Sequence, residues 1–364
     1  MSEHSKIYRV IGLMSGTSLD GIDAALISTD GENIVRRENF LSFPYDPSMR
    51  EKIRSCFYVT GPSVAPVEYE LTMLHSEAVF KLLQKASLHA RDIDLIGFHG
   101  QTTSHIPEKG MTVQIGDGRL LAKMTGIDVI NDFRTTDVRS GGQGAPLVPI
   151  YHQALAAMLK KPVLFLNIGG VANVTFVGER GRLLAFDTGP GNALIDDWML
   201  KKSGRPYDDN GGCAAQGIVD EVILAELLQN PYFAARPPKS LDRNSFSQDL
   251  CSSLSLQDGA ATLTAFTAAS IEKSLAYLPE KPVQIVVSGG GRLNKTLMRM
   301  LAERLSLPVD DIGALGLNGD AIEAEAFAYL AVRSLKGLPI SFPETTGVPR
   351  PMTGGQRHVP PQAA

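Results

Sequence analysis

The sequence predicts an α/β protein with a mixed sheet in each of two halves, and three observations carry that reading. Short apolar runs of strand length alternate with longer stretches whose apolar residues recur at helical spacing. An apolar run, a glycine turn and a returning run occur twice, at 10–28 and again at 164–177. The length of 364 residues, at about 150 per domain, suits two domains.

In chain order, 7–13 and 22–28 read as two strands around a glycine-rich turn, with a third at 34–43. Leu71, Leu74, Val79, Leu82 and Leu83 place a long helix over 66–88. A short buried strand at 94–98 ends in His99-Gly100-Gln101-Thr102, and another at 128–131 ends in a polar cluster. A helix near 150–160 precedes the core strand 163–167 and its return through 172–177. Helices follow near 192–203, 216–229 and 257–278, then a strand at 283–287 and helices near 293–306 and 319–335. The Pro- and Gly-rich tail from 338 reads as irregular. The expected division is 1–130 with 341–364 as one lobe and 131–340 as the other.

Composition excludes several function classes. At 43% hydrophobic and 20% charged, the chain affords a sizeable core and is not disordered as a whole. A net charge of −4, with basic runs no longer than two residues (Arg36-Arg37, Lys160-Lys161, Lys201-Lys202), lacks the footprint of a nucleic-acid binder. Cys56, Cys213 and Cys251 lie far apart, which argues against disulfides or structural zinc and suits a reducing compartment. No signal-peptide core opens the chain and no apolar stretch reaches about 18 residues, so a cytoplasmic protein with no membrane partner is expected.

Much of the glycine falls in three turns, each after a strand. Neither a P-loop nor G-x-G-x-x-G is present. The first turn, 14–21, reads as an anion cradle, with Asp20 available to a divalent cation or a bridging water, or else as a plain hairpin. The second, 187–192, sets Asp187 as a general base at a strand end before a helix start. Asn192 also reads as an ordinary N-cap there. The third, 288–294, reads as bare backbone against a purine or as a strand-to-helix turn needing positive φ.

Together the three turns resemble the two phosphate loops and the adenosine loop of the actin, Hsp70 and hexokinase superfamily of ATP-binding folds. The wording of the motifs is similar to that of the anhydro-N-acetylmuramic acid kinases of bacterial cell-wall recycling. The matching segments are 11–23 (Ile-Gly-Leu-Met-Ser-Gly-Thr-Ser-Leu-Asp-Gly-Ile-Asp), 97–102, 114–117, 131–134, 141–149, 166–173, 186–192 and 319–331. They occur in order over about residues 7–350.

The resemblance implies two actin/hexokinase-like lobes closing over an ATP cleft, a homodimer, and ATP with Mg²⁺ as cofactors. It implies a kinase that opens the 1,6-anhydro ring of its amino-sugar substrate with water while the freed 6-oxygen takes the γ-phosphoryl group, giving N-acetylmuramic acid 6-phosphate for peptidoglycan recycling. Nucleotide-binding positions would be Gly12, Met14, Ser15, Gly16, Thr17, Ser18, Leu19 and Asp20 in the first loop. Gly169, Gly170, Asn173, Thr188, Gly189, Gly191 and Asn192 would form the second phosphate site, and Gly289, Gly290 and Gly291 the adenosine loop. Asp20 is the metal's outer-shell candidate. Asp187 takes the role of the base that activates water, and Glu323 occupies the family's acidic position. Glu323 with Asp320 also reads as a capping box.

The sugar side falls to His99, Gln101, Thr102, Asp132, Arg134, Gln143 and Gly144–Pro146, with Arg134 a charge-assisted partner for a lactyl carboxylate. A structurally satisfied His99 and an Asp132–Arg134 ion pair are the plainer readings. Asp137 and Arg139 are expected to be structural or solvated. Two other functions compete: an ordinary kinase of a sugar hydroxyl, and a nucleotide-gated binding or chaperone module on the same fold.

Overall fold

The first hairpin lies where the sequence places it, β1 (Tyr8–Ser15) antiparallel to β2 (Gly21–Thr29). The computed structural model describes residues 6–241 and 245–361. β2 pairs in turn with β3 (Val35–Pro44). On its other side β1 runs parallel to β4 (Leu95–Ile106), which pairs with β5 (Met111–Ile115) and with β6 (Val129–Asn131). Ile11 and Leu13 enter a core with Leu71, Val79 and Leu82 of the helix Ala65–Ala86.

The opposite face of this sheet carries a bare strip. Gly12 and Gly97 are ladder partners, and the helix Ile322–Leu335 packs directly on them. A Cβ on Gly12 would lie 1.8 Å from the Ala324 carbonyl oxygen, and one on Gly97 2.1 Å from that of Phe327. Only glycine permits backbone to approach backbone so closely, and Ala324, Ala328 and Ala331 keep the helix face shallow.

The second sheet takes β7 (Val163–Ile168), β8 (Val171–Val177), β9 (Leu183–Pro190), β10 (Gln284–Ser288) and β11 (Val309–Asp311), in the order β11-β10-β7-β8-β9. The β7–β8 hairpin is the second copy of the pattern seen at 10–28. Leu164, Leu166, Ile285 and Val287 pack with Leu297 and Leu301 of the helix Lys295–Leu305. The long helix Leu256–Ser274 lies against β9. Each unit is thus a mixed sheet flanked by helices.

The units are Met1–Ala157 with Asp320–Ala364, and Met158–Gly319, not 1–130 with 341–364 and 131–340. Two sets of bonds account for the shift. The Tyr151 hydroxyl donates to Glu325 Oε2 (2.6 Å), tying the helix Pro149–Leu155 to Ile322–Leu335. The Gln143 N–H donates to the Thr346 carbonyl (2.7 Å). The glycine strip then holds Ile322–Leu335 to the first sheet.

Three expected elements also change. β4 does not stop at Phe98: it continues to Ile106 because β5 pairs with its second half, so His99–Thr102 lies mid-strand. The β1–β4 register breaks there, with Leu13 opposite Phe98 but Ser15 opposite Gln101, and Gly100 takes a φ of 73°. The helix expected over 216–229 shortens to Glu221–Leu227, because Asp220 caps it by accepting the N–H groups of Val222 and Ile223. The tail is not wholly irregular. Its strand β12 (Gln356–His358) closes the first sheet against β6.

Candidate functional site

The turn between β1 and β2 is anchored by one buried leucine. The Leu19 N–H donates to the Gly16 carbonyl (3.1 Å), and the residue sits at a φ of 59° with its side chain inside. Thr17, Ser18 and Asp20 are left exposed. A Cβ on Gly16 would meet nothing nearer than Ser18 Oγ at 3.6 Å, so this stretch of backbone is open, as an anion cradle requires.

Beneath the turn three side chains interlock. Ser15 Oγ donates to Gln101 Oε1 (2.6 Å) and lies 2.8 Å from the Tyr45 hydroxyl. Gln101 Nε2 donates to the carbonyls of Gly16 and Thr102, each at 3.2 Å. Gln101 is fully buried, so the structure assigns it to the support of the turn and not to a sugar-facing surface. Gly12 lies under Ala324, which explains its glycine without any nucleotide. Met14 sits half-buried in the ladder opposite Asp23.

The sugar-side candidates centre on Arg134. Its Nε donates to His99 Nε2 (3.0 Å) and its Nη1 to the Gly144 carbonyl (2.7 Å). His99 therefore carries its proton on Nδ1, which donates to the Gly100 carbonyl (2.8 Å). Burial, reinforced by the Arg134 charge, holds the His99 pKa well below the imidazole range, so the ring is neutral. Burial also draws Arg134 down to about 10, with Glu323 and Asp137 opposing. The His99 ring and the guanidinium both lie against Phe327, at 4.5 and 5.8 Å.

The plainer alternative, an Asp132–Arg134 pair, gives way to these bonds, and Asp132 occupies a left-handed turn at φ 55°. Asp137 is structural, as expected: it accepts from the Gly144 N–H and from Thr346 Oγ1, each at 2.6 Å. Gln143 is half-buried beside it. The Thr102 hydroxyl accepts from Gln114 Nε2 (3.2 Å).

Glu323 stands in the first turn of Ile322–Leu335, where the N-cap is Ala321 and no side chain caps the helix. The Asp320–Glu323 capping box is absent, and the carboxylate is not committed to the helix end. Solvent reaches the residue, yet protein crowds its carboxyl. That burial raises its pKa, Arg134 opposes the rise and Asp23 adds to it. Asp23 is itself raised, by burial first and also by the charges of Asp320 and Asp20, while a bond from Ser42 pulls it down. Among the described residues no group of three His, Cys, Asp or Glu is arranged to hold a metal. One or two carboxylates beside an open phosphate cradle fit Mg²⁺, which keeps its waters and binds chiefly through phosphates.

In the second unit the glycine turns converge on the end of β7. The Gly191 and Asn192 N–H groups donate to the carbonyls of Gly170 (2.9 Å) and Gly169 (2.8 Å). Asn192 Nδ2 donates to the Ile168 carbonyl (3.1 Å) and makes no side-chain cap for the helix Ala193–Ser203. Gly289, at φ 77°, and Gly291 sit against Ile168, where a Cβ would come within 2.7 and 2.3 Å of it. Gly169, Gly170 and Gly290 stay open. Two of the expected ligands face inward instead: the Thr188 hydroxyl donates to the Ala172 carbonyl (3.1 Å), and Gly189 makes room for Ser270.

Asp187 ends a polar row across four strands. Ser288 pairs with Asn167, Asn167 with Asn173, and Asn173 with Asp187. Residues paired in this way project from the same face of a sheet. The segment 230–241 straps the aspartate from its far side. Leu241 N–H donates to Asp187 Oδ2 (2.7 Å), the Asp187 N–H donates to the Lys239 carbonyl (3.0 Å), and the Tyr232 hydroxyl donates to the Asp187 carbonyl (2.6 Å). Burial raises the Asp187 pKa to about 7, against the pull of the Leu241 N–H.

A family model described as anhydro-N-acetylmuramic acid kinase matches residues 8–359. The chain belongs to the anhydro-N-acetylmuramic acid kinase family. Relatives under that name include one from Rhizorhabdus wittichii, 53% identical over 359 residues, covering 96% of this chain and 98% of the relative. One from Zymomonas mobilis is 50% identical over 360 residues, covering 96% and 99%. Similar solved structures include a ROK hexokinase from Thermus thermophilus (18% identity, TM-score 0.40, 89% of this chain and 99% of that one). A xylulose kinase from Lactobacillus acidophilus shows 11% identity, a TM-score of 0.46 and coverage of 97% and 94%.

As a member of the anhydro-N-acetylmuramic acid kinase family the chain is an ATP-dependent kinase. No helix among the described residues is long and apolar enough to cross a membrane. Tyr45 in the first unit, and Tyr232 and Leu241 in the second, each bond to a candidate residue of their own unit, and none of the three stands out in the sequence. Each acts through a backbone or hydroxyl bond to a residue far along the chain, which leaves no local motif.

Proposed function

We propose that the chain opens the 1,6-anhydro ring of anhydro-N-acetylmuramic acid with water and transfers the γ-phosphoryl group of ATP to the freed 6-oxygen. The observation that carries the role assignment is Asp187: a carboxyl raised to about 7, held by the Leu241 N–H at the end of a polar row. A base near neutrality is matched to taking a proton from water. Asp187 removes a proton as the water oxygen bonds to C1, the C1–O6 bond breaks, and O6 bonds to the γ-phosphorus as ADP leaves. The captured proton is later released to solvent. The phosphoryl group takes up the leaving oxygen, so no strong acid is required there.

The open backbone at Gly16, with Thr17 and Ser18, holds phosphate oxygens, as does the backbone at Gly169 and Gly170. Gly290 lies against the adenosine. Asp20 is the residue that would hold Mg²⁺, and the ion would neutralise phosphate charge. Arg134 and Glu323 face the sugar, Arg134 as partner to its carboxylate. His99 stays neutral and fixes the Arg134 Nε. The three buried free cysteines suit a cytoplasmic enzyme. A homodimer follows from the family resemblance, and sedimentation velocity tests it.

The test of the reaction is solvent oxygen. In ¹⁸O-water the label enters at C1 of the phosphorylated product. Product that forms with no label at C1 rejects ring hydrolysis.

A further inference from the structure

We infer that Tyr45 is a positioning residue for the first phosphate loop, buckling its two ends together from beneath. Its backbone N–H donates to the Asp20 carbonyl (3.0 Å), at the end of the turn. Its hydroxyl meets Ser15 Oγ (2.8 Å), at the start. One side chain and its own amide thus span residues 15–20.

The direction of each bond follows from proton counting. Ser15 has one hydroxyl proton, and it goes to Gln101 Oε1. Tyr45 must then donate to Ser15. The Gln101 amide is oriented by two carbonyls, Gly16 and Thr102, which both require its NH₂ group. The result is a directed chain, Tyr45 hydroxyl to Ser15 to Gln101 to the Gly16 carbonyl, with every donor used. Tyr45 and Ser15 are buried and Gln101 is fully so, which makes each of these bonds costly to leave unmade. Burial also keeps the Tyr45 phenol protonated, its pKa raised further by Asp23 and opposed by Ser15.

The chain of bonds ends on the outward-facing part of the turn. A Cβ on Gly16 would meet nothing nearer than Ser18 Oγ at 3.6 Å, and residues 17 and 18 are exposed. Their amides can point together at an anion only if the turn is pinned from below. Loosening Tyr45 leaves the loop present but unordered, so that ATP must order it on binding.

This inference rests on the reading of residues 14–21 as a phosphate loop, and the experiment separates the two. Tyr45→Phe removes the hydroxyl and keeps the ring and the N–H. The KM for ATP should rise about three- to tenfold, the worth of one buried hydrogen bond, with the KM for the sugar unchanged. Ser15→Ala should give a similar rise, and the double variant no more than either alone, because both break one chain. Gly16→Val is the control: its side chain fills open space where a phosphate would sit. If Gly16→Val raises the ATP KM and Tyr45→Phe does not, the brace is wrong and the loop reading stands. If Gly16→Val leaves the ATP KM unchanged, the loop reading itself fails. A Tyr45→Phe protein that loses stability while its two KM values move equally indicates a general structural role and overturns the inference.

Discussion

Asn173 stands directly across the β8–β9 ladder from Asp187. The amide and the carboxylate therefore share one face of the sheet, and the strap at 230–241 closes on the aspartate from the other direction. The Asp187 carboxyl accepts from one main-chain group, the Leu241 N–H, while the Asp187 N–H and carbonyl are bonded to the same strap.

Asp187 must be ionised to act as a base, and its pKa is raised to about 7. In the unliganded enzyme kcat/KM should rise with pH through about 7 and fall about tenfold per unit below about 6. Asp187→Asn should lower turnover by roughly 10²–10⁴-fold while ATP still binds by calorimetry. Near-normal turnover would remove Asp187 from the mechanism.

The same shift predicts a stability effect. The folded pKa lies above the unfolded value near 3.8, so between those values the folded chain holds a proton that the unfolded chain lacks. Stability contributed by this group is present at low pH and declines as pH rises through that window. Asp187→Asn should unfold at higher urea than the parent at pH 8 and at similar urea at pH 4.

Tyr232→Phe deletes the bond to the Asp187 carbonyl and leaves the ring stacked with Lys239, whose ammonium lies 4.4 Å from it. We expect kcat to fall about three- to tenfold, with the ATP KM unchanged. An unaltered kcat would mean that the strap does not position the base.

Glu323→Ala separates chemistry from helix capping. With no capping box formed, stability should change by less than about 0.5 kcal/mol, whereas a lost cap would cost about 1 kcal/mol. Activity should fall roughly a hundredfold. Denaturant titration and initial rates on the same preparation decide it.

Gly12→Ala and Gly16→Ala, four positions apart, should behave oppositely. The first drives a methyl into the Ala324 carbonyl and should destabilise by about 3 kcal/mol or more. The second points a methyl into open space and should leave unfolding within about 0.5 kcal/mol of the parent.

The sequence made both hairpins legible because apolar runs bounded by glycine turns are a local signal. It also separated Asp187 from the other carboxylates, through its place between a buried strand and a Gly-Pro-Gly turn. Glycine misled in one respect. Gly12, Gly189 and Gly291 sit beside ligand-like turns, but each is glycine because a neighbouring element occupies the space of its Cβ. Single-sequence reading cannot tell a glycine that admits a phosphate from one that admits a helix. The unit boundary was misplaced for the same reason. What draws Ile322–Leu335 to the first sheet is the paired gap at Gly12 and Gly97, two positions 85 residues apart that become neighbours only in the fold. Tyr45 and Leu241 were invisible because their work is done by a hydroxyl and a backbone amide, which no motif distinguishes.

The turns at 169–170, 191–192 and 289–291 all lean on the end of β7 around Ile168. Elements that share one anchor do not fluctuate independently. Their amide exchange should slow as a block when a ligand orders any one of them.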